Sequence, residues 1–382
     1  MKKFVTVLGA TGTVGSKTLE IIRENREKFE IVGISAHSNV SLLVKFTIEF
    51  LPKYIVLSNL LLLPELEKQV SHLNVEILQG EEGLSFLASK KTDILVAAIT
   101  GFAGFKPIFQ AINSGIDVAL ANKEALVAGG HLIMPLAKEK GVRIFPIDSE
   151  HNAIFQCMMG QNWNEVDKVT LTASGGPFIS MSRNETFYVS PNKALKHPTW
   201  SMGKKISIDS ATMMNKGLET IEAAWLFNIG KEKISAIIHP QSIVHGIVKF
   251  RDQSVITHMA PTDMKVPISQ VLAWPKRLNI NLKEIDFTKI ENLEFKEIDI
   301  VQFPCFGLAY QLIDEHPCYS IALNAANEIA VNLYLNYKLD FGNIYTLVAK
   351  TIERIEINEL NDYQSIIDYD NYARNIAESL KL

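Results

Sequence analysis

Short β-branched runs recur between residues 4 and 146, and amphipathic stretches separate most of them. The runs are "FVTVL" (4–8), "IVGIS" (31–35), "YIVLS" (54–58), "DILVAAI" (93–99), "DVALA" (117–121) and "VRIFP" (142–146), with helical patterns such as 15–28 and 103–114 between. Runs this apolar read as strands buried on both faces. Strand, helix, strand in repetition is the pattern of a parallel sheet covered by helices on both sides. The first 147 residues therefore predict a doubly wound parallel sheet in an α/β protein. From 166 the texture changes: "DKVTLTAS" and "ISAIIHPQSIVHGIVKF" are strand-like, and a long helical pattern occupies 211–229. That predicts a central α/β domain over 148–275. Residues 276–299 are charge-rich with isolated apolar positions and predict an extended arm. From 304 onward the pattern is helical with short joins, which predicts a carboxy-terminal helical bundle over 300–382. A chain of 382 residues is too long for one ordinary core, in keeping with that division.

"VTVLGATGTVGSKTLEII" closes the first strand and opens a helix, with Gly9, Gly12 and Gly15 in a G-x-x-G-x-x-G spacing. Glycine permits the tight turn, and a helix start offers unpaired N–H groups and about half a positive charge to a pyrophosphate. In this context the loop predicts a dinucleotide site on a Rossmann-like domain, although a bare strand–helix turn has the same spacing. The second strand ends in "SAHSN" (35–39), where ribose selectivity is usually set. No acidic residue stands there to bind a 2′-hydroxyl, which favours the phosphorylated cofactor. No Arg or Lys stands there either. Ser38 and Asn39 can hydrogen-bond a phosphate, and His37 can stack on adenine.

The remaining polar segments cluster after strands or on one helix. Asn122, Lys123 and Glu124 follow "DVALA", and Asp148 and Glu150 follow "VRIFP". In an open parallel sheet ligands bind outside the carboxyl ends of strands, so these groups are expected in one cleft with the cofactor. A side-chain period near two would turn Asp148 and Glu150 the same way. Two carboxylates that close resist joint ionisation, and a hard cation such as Mg²⁺ or Mn²⁺ relieves them. A solvated acidic turn has the same spacing. "LTASGGPF" (171–178) runs a strand into Ser174 and two glycines, either an anion nest or a simple turn. In "IDSATMMNKGLETIEAAW" (208–225) Ser210 is placed to cap a helix, while Asn215 and Glu219 share a face beside Lys216. "HPTWSMG" (197–203), carrying His197, Trp200, Met202 and Gly203, is expected either as a lid that excludes water or as a loop packed on the core. His239 and His245 are expected to be structural.

Other features exclude whole classes. A net charge of −4 shows no basic excess for nucleic acid or a membrane surface. The three cysteines, Cys157, Cys305 and Cys318, form no CxxC pair. The apolar run in "MKKFVTVLGATG" stops at Gly9, too short for a signal peptide, and "LLLL" (60–63) meets Pro64 and Glu65. A cytoplasmic location is the expectation.

Seven stretches together resemble the 1-deoxy-D-xylulose 5-phosphate reductoisomerase family: "GATGTVG", "LANKEALV", "PIDSEHNAIFQ", "LTASGGPF", "HPTWSMGKKISIDSATMMNKGLE", "HPQSIVH" and "LAWPKR", spanning residues 9 to 277. The resemblance implies an NADPH- and metal-dependent enzyme, homodimeric in the family pattern, that makes 2-C-methyl-D-erythritol 4-phosphate for isoprenoid biosynthesis. The carbon–carbon rearrangement would run by retro-aldol cleavage and re-addition or by an α-ketol shift, before hydride reduction of a branched aldehyde. Carried over by position, it implies that Asp148, Glu150 and Glu219 hold the divalent metal. Lys123, Ser149 and Glu150 would meet the sugar's carbonyl and hydroxyl end. Ser174, Ser210, Asn215 and Lys216 would hold the phosphate, with His197 lining the site and Trp200 and Met202 on the closing loop. Thr11, Gly12, Thr13, Val14, Asn39, Asn122, Glu124 and Gly203 would meet the cofactor. Many members carry Gly-Lys where this chain has His37 and Ser38, so a lysine contact to the 2′-phosphate is missing. Two rivals are weighed against this. A semialdehyde-type dehydrogenase needs a cysteine nucleophile in a strained turn, a setting Cys157 lacks. A non-catalytic nucleotide sensor has no reason to gather Asp148, Glu150 and Glu219.

Overall fold

A computed structural model describes residues 2–200 and 202–381. Met1, Ser201 and Leu382 lie outside the described residues, so one position of the 197–203 stretch and the outermost position of each terminal segment are not discussed further. The chain divides into two compact units. The first comprises 1–125, 133–148 and 263–281, and the second 126–132, 149–262 and 282–382.

The first unit is built on a parallel sheet, as the alternation predicts. Among the described residues its strands are β1 (Lys3–Leu8), β2 (Phe29–Ala36), β3 (Tyr54–Leu57), β4 (Glu76–Gln79), β5 (Ile94–Ala97), β6 (Asp117–Leu120) and β7 (Ile144–Pro146), in the order β4-β3-β2-β1-β5-β6-β7. Val5, Val7, Ile34, Ile55, Val56, Leu95, Val96, Ala119 and Leu120 are fully buried, which is why these runs carry no alternation of polar and apolar residues. The order reverses on either side of β1, since β2 to β4 lie to one side and β5 to β7 to the other. That reversal opens a crevice at the carboxyl ends of β1 and β5. β4 is absent from the sequence expectation. It is a half-exposed edge strand, so the buried-run signal that marks the others is missing there. The helix Lys265–Ala273 returns to this unit. Its Ile268, Val271 and Leu272 are buried, and Lys265 pairs with Glu20 of the helix Thr13–Glu24 at 2.6 Å.

The second unit holds a mixed sheet of β8 (Val166–Ala173), β9 (Ile234–Ile238), β10 (Val244–Phe250), β11 (Val255–Met259) and β12 (Lys296–Glu297), in the order β11-β10-β8-β9-β12 among the described residues. Only the β8–β9 ladder is parallel. The bundle helices Pro304–Gln311, Pro317–Leu335, Asn343–Arg354 and Tyr363–Ser379 lie in the same unit. Three local expectations need correction. The helical pattern expected at 211–229 holds as Met214–Phe227 but starts later than expected, because Met213 turns left-handed at φ 59° and separates it from a preceding helix, Lys204–Ala211. Ser210 therefore lies in the last turn of the first helix and does not cap the second. Residues 149–157 are helical from Ser149 onward, so the period-two argument for Asp148 and Glu150 fails. His239 sits just past β9, not on a strand shared with His245.

Candidate functional site

Within the first unit the glycine loop is shaped by backbone contact. Gly9 has φ 78°, and a Cβ there would stand 2.5 Å from the Ala98 carbonyl oxygen. A Cβ on Gly15 would stand 2.3 Å from the Gly9 oxygen, so the helix Thr13–Glu24 starts in contact with the turn. Gly12 is its N-cap and no side chain caps it, the arrangement an anion-binding helix start requires. The Gly9 N–H donates to Ser35 Oγ at 2.9 Å and the Ala10 N–H to the Ser35 carbonyl at 2.8 Å, tying the loop to the end of β2. Sequence reading passed over Ser35, whose role appears only once β1 and β2 are paired. Gly12 and Thr13 are exposed and Thr11 and Val14 half-buried. His37, Ser38 and Asn39 are exposed just beyond β2. Asn39 Oδ1 accepts from the Leu42 N–H at 3.1 Å, so the amide nitrogen is the end left for an incoming phosphate.

β6 and β7 are neighbours, with Leu120 opposite Pro146, so the segments after them emerge side by side. Lys123 Nζ accordingly lies 2.5 Å from Asp148 Oδ2, with both side chains largely buried. Asn122 is 1% exposed. Its side chain accepts from the Ala125 N–H and donates to the Ile99 and Gly101 carbonyls at 2.7 and 2.8 Å and to Glu124. These two residues thus brace the loop after β5, and their side chains are directed inward.

In the second unit Glu150 is in the first turn of Ser149–Cys157 and Glu219 is on Met214–Phe227. Their carboxylate oxygens come within 4.8 Å of each other. Lys216 Nζ joins them: it donates to Glu150 Oε1 at 2.7 Å and to Glu219. Burial alone would lower the Lys216 ammonium, but the attraction of Glu150 and then Glu219 outweighs it and holds its pKa above the ordinary value. Asn215 donates to Glu219 as well, and Ser149 Oγ donates to Glu150 Oε2 at 2.5 Å. Behind the pair, fully buried His151 donates to the Glu219 carbonyl at 2.9 Å and stands 3.5 Å from Glu222, fixing one helix against the other. The i,i+3 pair Glu219–Glu222 was the available sequence signal for that arrangement. The carboxylates therefore converge on one cation, and their hard oxygens suit a divalent ion.

Ser174 directly follows β8, and Gly175 and Gly176 come next with φ 88° and 67°. A Cβ on Gly176 would lie 2.7 Å from the Ser210 carbonyl oxygen, so glycine is what lets this loop abut the helix Lys204–Ala211. The loop thus packs against the helix at Ser210, an arrangement open both to an anion nest and to a simple turn. His197 Nδ1 accepts the Trp200 N–H at 2.9 Å and the Thr199 N–H at 3.2 Å. The ring proton is then on Nε2, 3.0 Å from Ser174 Oγ. Burial lowers the His197 pKa and supports that neutral form. Trp200 meets His245 edge to face at 6.3 Å. Met202 is half-buried, and Gly203 is exposed as N-cap of Lys204–Ala211. His239 and His245 hold main-chain groups: His239 bonds the Glu294 carbonyl at 2.8 Å and His245 the Ala260 carbonyl at 3.1 Å. The Cys157 and Cys305 thiols are buried and pushed up to about 11 and about 12, the reverse of what a nucleophile needs.

The chain matches three family descriptions. Residues 5–130 match 1-deoxy-D-xylulose 5-phosphate reductoisomerase, 144–227 its C-terminal domain, and 259–376 the DXP reductoisomerase C-terminal domain. It is 42% identical over 381 residues to the 1-deoxy-D-xylulose 5-phosphate reductoisomerase of Halothermothrix orenii, covering 100% of this chain and 99% of that one. It is 45% identical over 375 residues to that of a Thermoanaerobacter species, covering 98% of each. Among solved structures, the Zymomonas mobilis enzyme in complex with NADPH superposes with TM-score 0.92 at 39% identity over 100% of both chains. A DOX-P reductoisomerase in complex with NADPH, fosmidomycin and magnesium superposes with TM-score 0.93 at 38% identity, covering 99% of this chain and 98% of that one.

Proposed function

The chain belongs to the 1-deoxy-D-xylulose 5-phosphate reductoisomerase family, and on that premise we infer that the carboxylate cluster, the serine–glycine loop and the nucleotide loop described above are its working site. The enzyme carries out the NADPH- and divalent-metal-dependent rearrangement and reduction of 1-deoxy-D-xylulose 5-phosphate to 2-C-methyl-D-erythritol 4-phosphate in non-mevalonate isoprenoid biosynthesis. The observation that carries the site assignment is the convergence of Glu150 and Glu219, from two helices, on the single ammonium of Lys216. Such a pair is a cation site, and Asp148, two residues before Glu150 in the chain, supplies the third carboxylate.

In this reading Asp148, Glu150 and Glu219 hold Mg²⁺ or Mn²⁺. Thr11, Gly12, Thr13 and Val14 hold the NADPH pyrophosphate, with His37, Ser38 and Asn39 at the adenosine end and Asn122, Glu124 and Gly203 nearer the nicotinamide. When bound, the metal supplies Lewis-acid polarisation and the cofactor a hydride. The chain's own groups orient and hold. Ser174, Ser210, Asn215 and Lys216 grip the phosphate, remote from the reacting carbons, so that its binding energy positions them. Lys123 and Ser149 donate to the sugar's oxygens. Neutral His197 donates through Nε2 to Ser174, so the serine's own proton is left to the phosphate. Trp200 and Met202 cover the site and exclude water. A homodimer and a cytoplasmic location belong to the same proposal, supported by family membership. Among the described residues no helix is long and apolar enough to cross a membrane.

The test follows NADPH absorbance with 1-deoxy-D-xylulose 5-phosphate as substrate. Turnover should vanish with EDTA and return with Mn²⁺. Glu219→Gln should weaken Mn²⁺ binding, read by calorimetry, and lower kcat with the melting temperature nearly kept. Parental Mn²⁺ affinity in that variant would sink the ligand assignment. Light scattering checks the dimer.

A further inference from the structure

Asp209 stands immediately before Ser210 on the helix Lys204–Ala211 and is 1% exposed. A carboxylate at that depth needs partners to remain ionised. Lys205, one turn earlier on the same helix, reaches it at 2.8 Å. Asn327 Nδ2 donates to its Oδ1 at 2.8 Å from 118 residues away, in the middle of the bundle helix Pro317–Leu335. Asn327 is itself fully buried, close in sequence to the buried alanines Ala325, Ala326 and Ala330. Its Oδ1 has no hydrogen-bond partner among the described residues. An alanine or leucine would avoid the burial cost of that amide, so packing alone does not account for asparagine here. The amide fixes direction instead: it holds one carboxylate, and through it the rotation of one short helix. The Ser174–Gly176 loop abuts the same helix at the Ser210 carbonyl.

We propose that Asn327 is a positioning residue for the phosphate end of the substrate site. Through Asp209 it sets the rotation of Lys204–Ala211, which aims the Ser210 hydroxyl beside Ser174. It also keeps Lys205 turned toward Asp209. The proposal rests on the assignment of Ser174 and Ser210 to the phosphate.

The experiment compares full-length Asn327→Leu, Asp209→Asn, the double variant and Ser210→Ala. It reads kcat and KM for 1-deoxy-D-xylulose 5-phosphate, with melting temperature as a control. Asn327→Leu should raise KM about tenfold and change kcat by no more than about twofold, as supporting hydrogen bonds behind a ligand-binding group do. Asp209→Asn should do the same, and it carries the test should Asn327→Leu not fold. Because one acts through the other, the double variant should be no worse than Asp209→Asn alone. Additive KM effects, or kcat falling while KM stays put, would overturn the positioning role. Ser210→Ala separates the two failures. An unchanged KM there removes the phosphate reading and this proposal with it. A raised KM there beside an unchanged KM in Asn327→Leu overturns the proposal alone.

Discussion

Lys216 shows how one side chain can serve two charges of opposite demand. It is buried with Glu150 and Glu219, and it belongs in the proposed site to the substrate phosphate. While it pairs the carboxylates it protects the fold from their repulsion. A divalent ion between them would leave the ammonium available to the phosphate. Lys216→Ala should therefore lower the melting temperature without metal, since breaking a buried ion pair costs roughly 3–5 kcal/mol. Mg²⁺ should restore more of that loss than it adds to the parent, because it replaces the missing charge. The KM for the phosphorylated substrate should still rise about tenfold to hundredfold. Thermal melts with and without Mg²⁺ check the first part, and a smaller Mg²⁺ shift than in the parent would refute it. Ser38 poses a simpler case. It is exposed where relatives are expected to hold a lysine, so Ser38→Lys should sharpen the preference for NADPH over NADH, mostly at low salt because a surface ion pair is screened. Equal kcat/KM for the two cofactors in the native chain would show that the missing acidic residue was misread.

The element most sensitive to solution conditions is the stretch from His197 to Trp200. Its turn depends on His197 Nδ1 accepting two main-chain N–H groups, which requires a neutral ring. Burial depresses the folded pKa of His197 below its ordinary 6.5. The unfolded or opened segment then binds the proton more tightly. The turn's stability is complete above about pH 6.5 and is lost as pH falls below it toward the folded value. Amide exchange at Thr199 and Trp200, corrected for intrinsic rates, should be faster at pH 5.5 than at 7.5. Equal protection at both values would mean that the turn does not depend on this proton. A phosphonate substrate analogue added with metal and NADPH should slow exchange across the same stretch if it closes as a lid.

At the scale of the whole molecule, chain order and compact units part company. The first unit takes back Asp263–Asn281 after more than a hundred residues spent in the second. The returning helix is anchored by Lys265 on Glu20, by Asp263 on Lys17 at 2.9 Å, and by Lys3 Nζ donating to the Leu272 carbonyl at 3.1 Å. It also buries Ile268, Val271 and Leu272. A fragment ending at residue 148 should consequently bind NADPH poorly and melt early. The same fragment joined by a flexible linker to 263–281 should recover both properties. Circular dichroism and cofactor fluorescence measure this, and a fully stable 1–148 fragment would show the returning helix to be dispensable.

The sequence alone was enough for whatever depends on near neighbours. Continuous apolar runs marked the buried strands, and the glycine spacing after β1 marked the nucleotide loop. Long polar strings such as "DSEHNAIFQ" and "DSATMMNKGLE" carried the candidate site and its family. β4 escaped because an edge strand is half-exposed and loses the buried-run signal. The break at Met213 escaped because a residue with positive φ looks like any other in a helical pattern. Only tertiary structure decided which distant groups meet. Lys123 reaches Asp148 because β6 and β7 pair, and Lys216 lies between Glu150 and Glu219 because two helices face each other. Asn327 finds Asp209 only after the bundle packs against Lys204–Ala211. Periodicity and propensity act over a turn or two of chain, whereas these contacts depend on topology, which brings together residues that no local pattern connects.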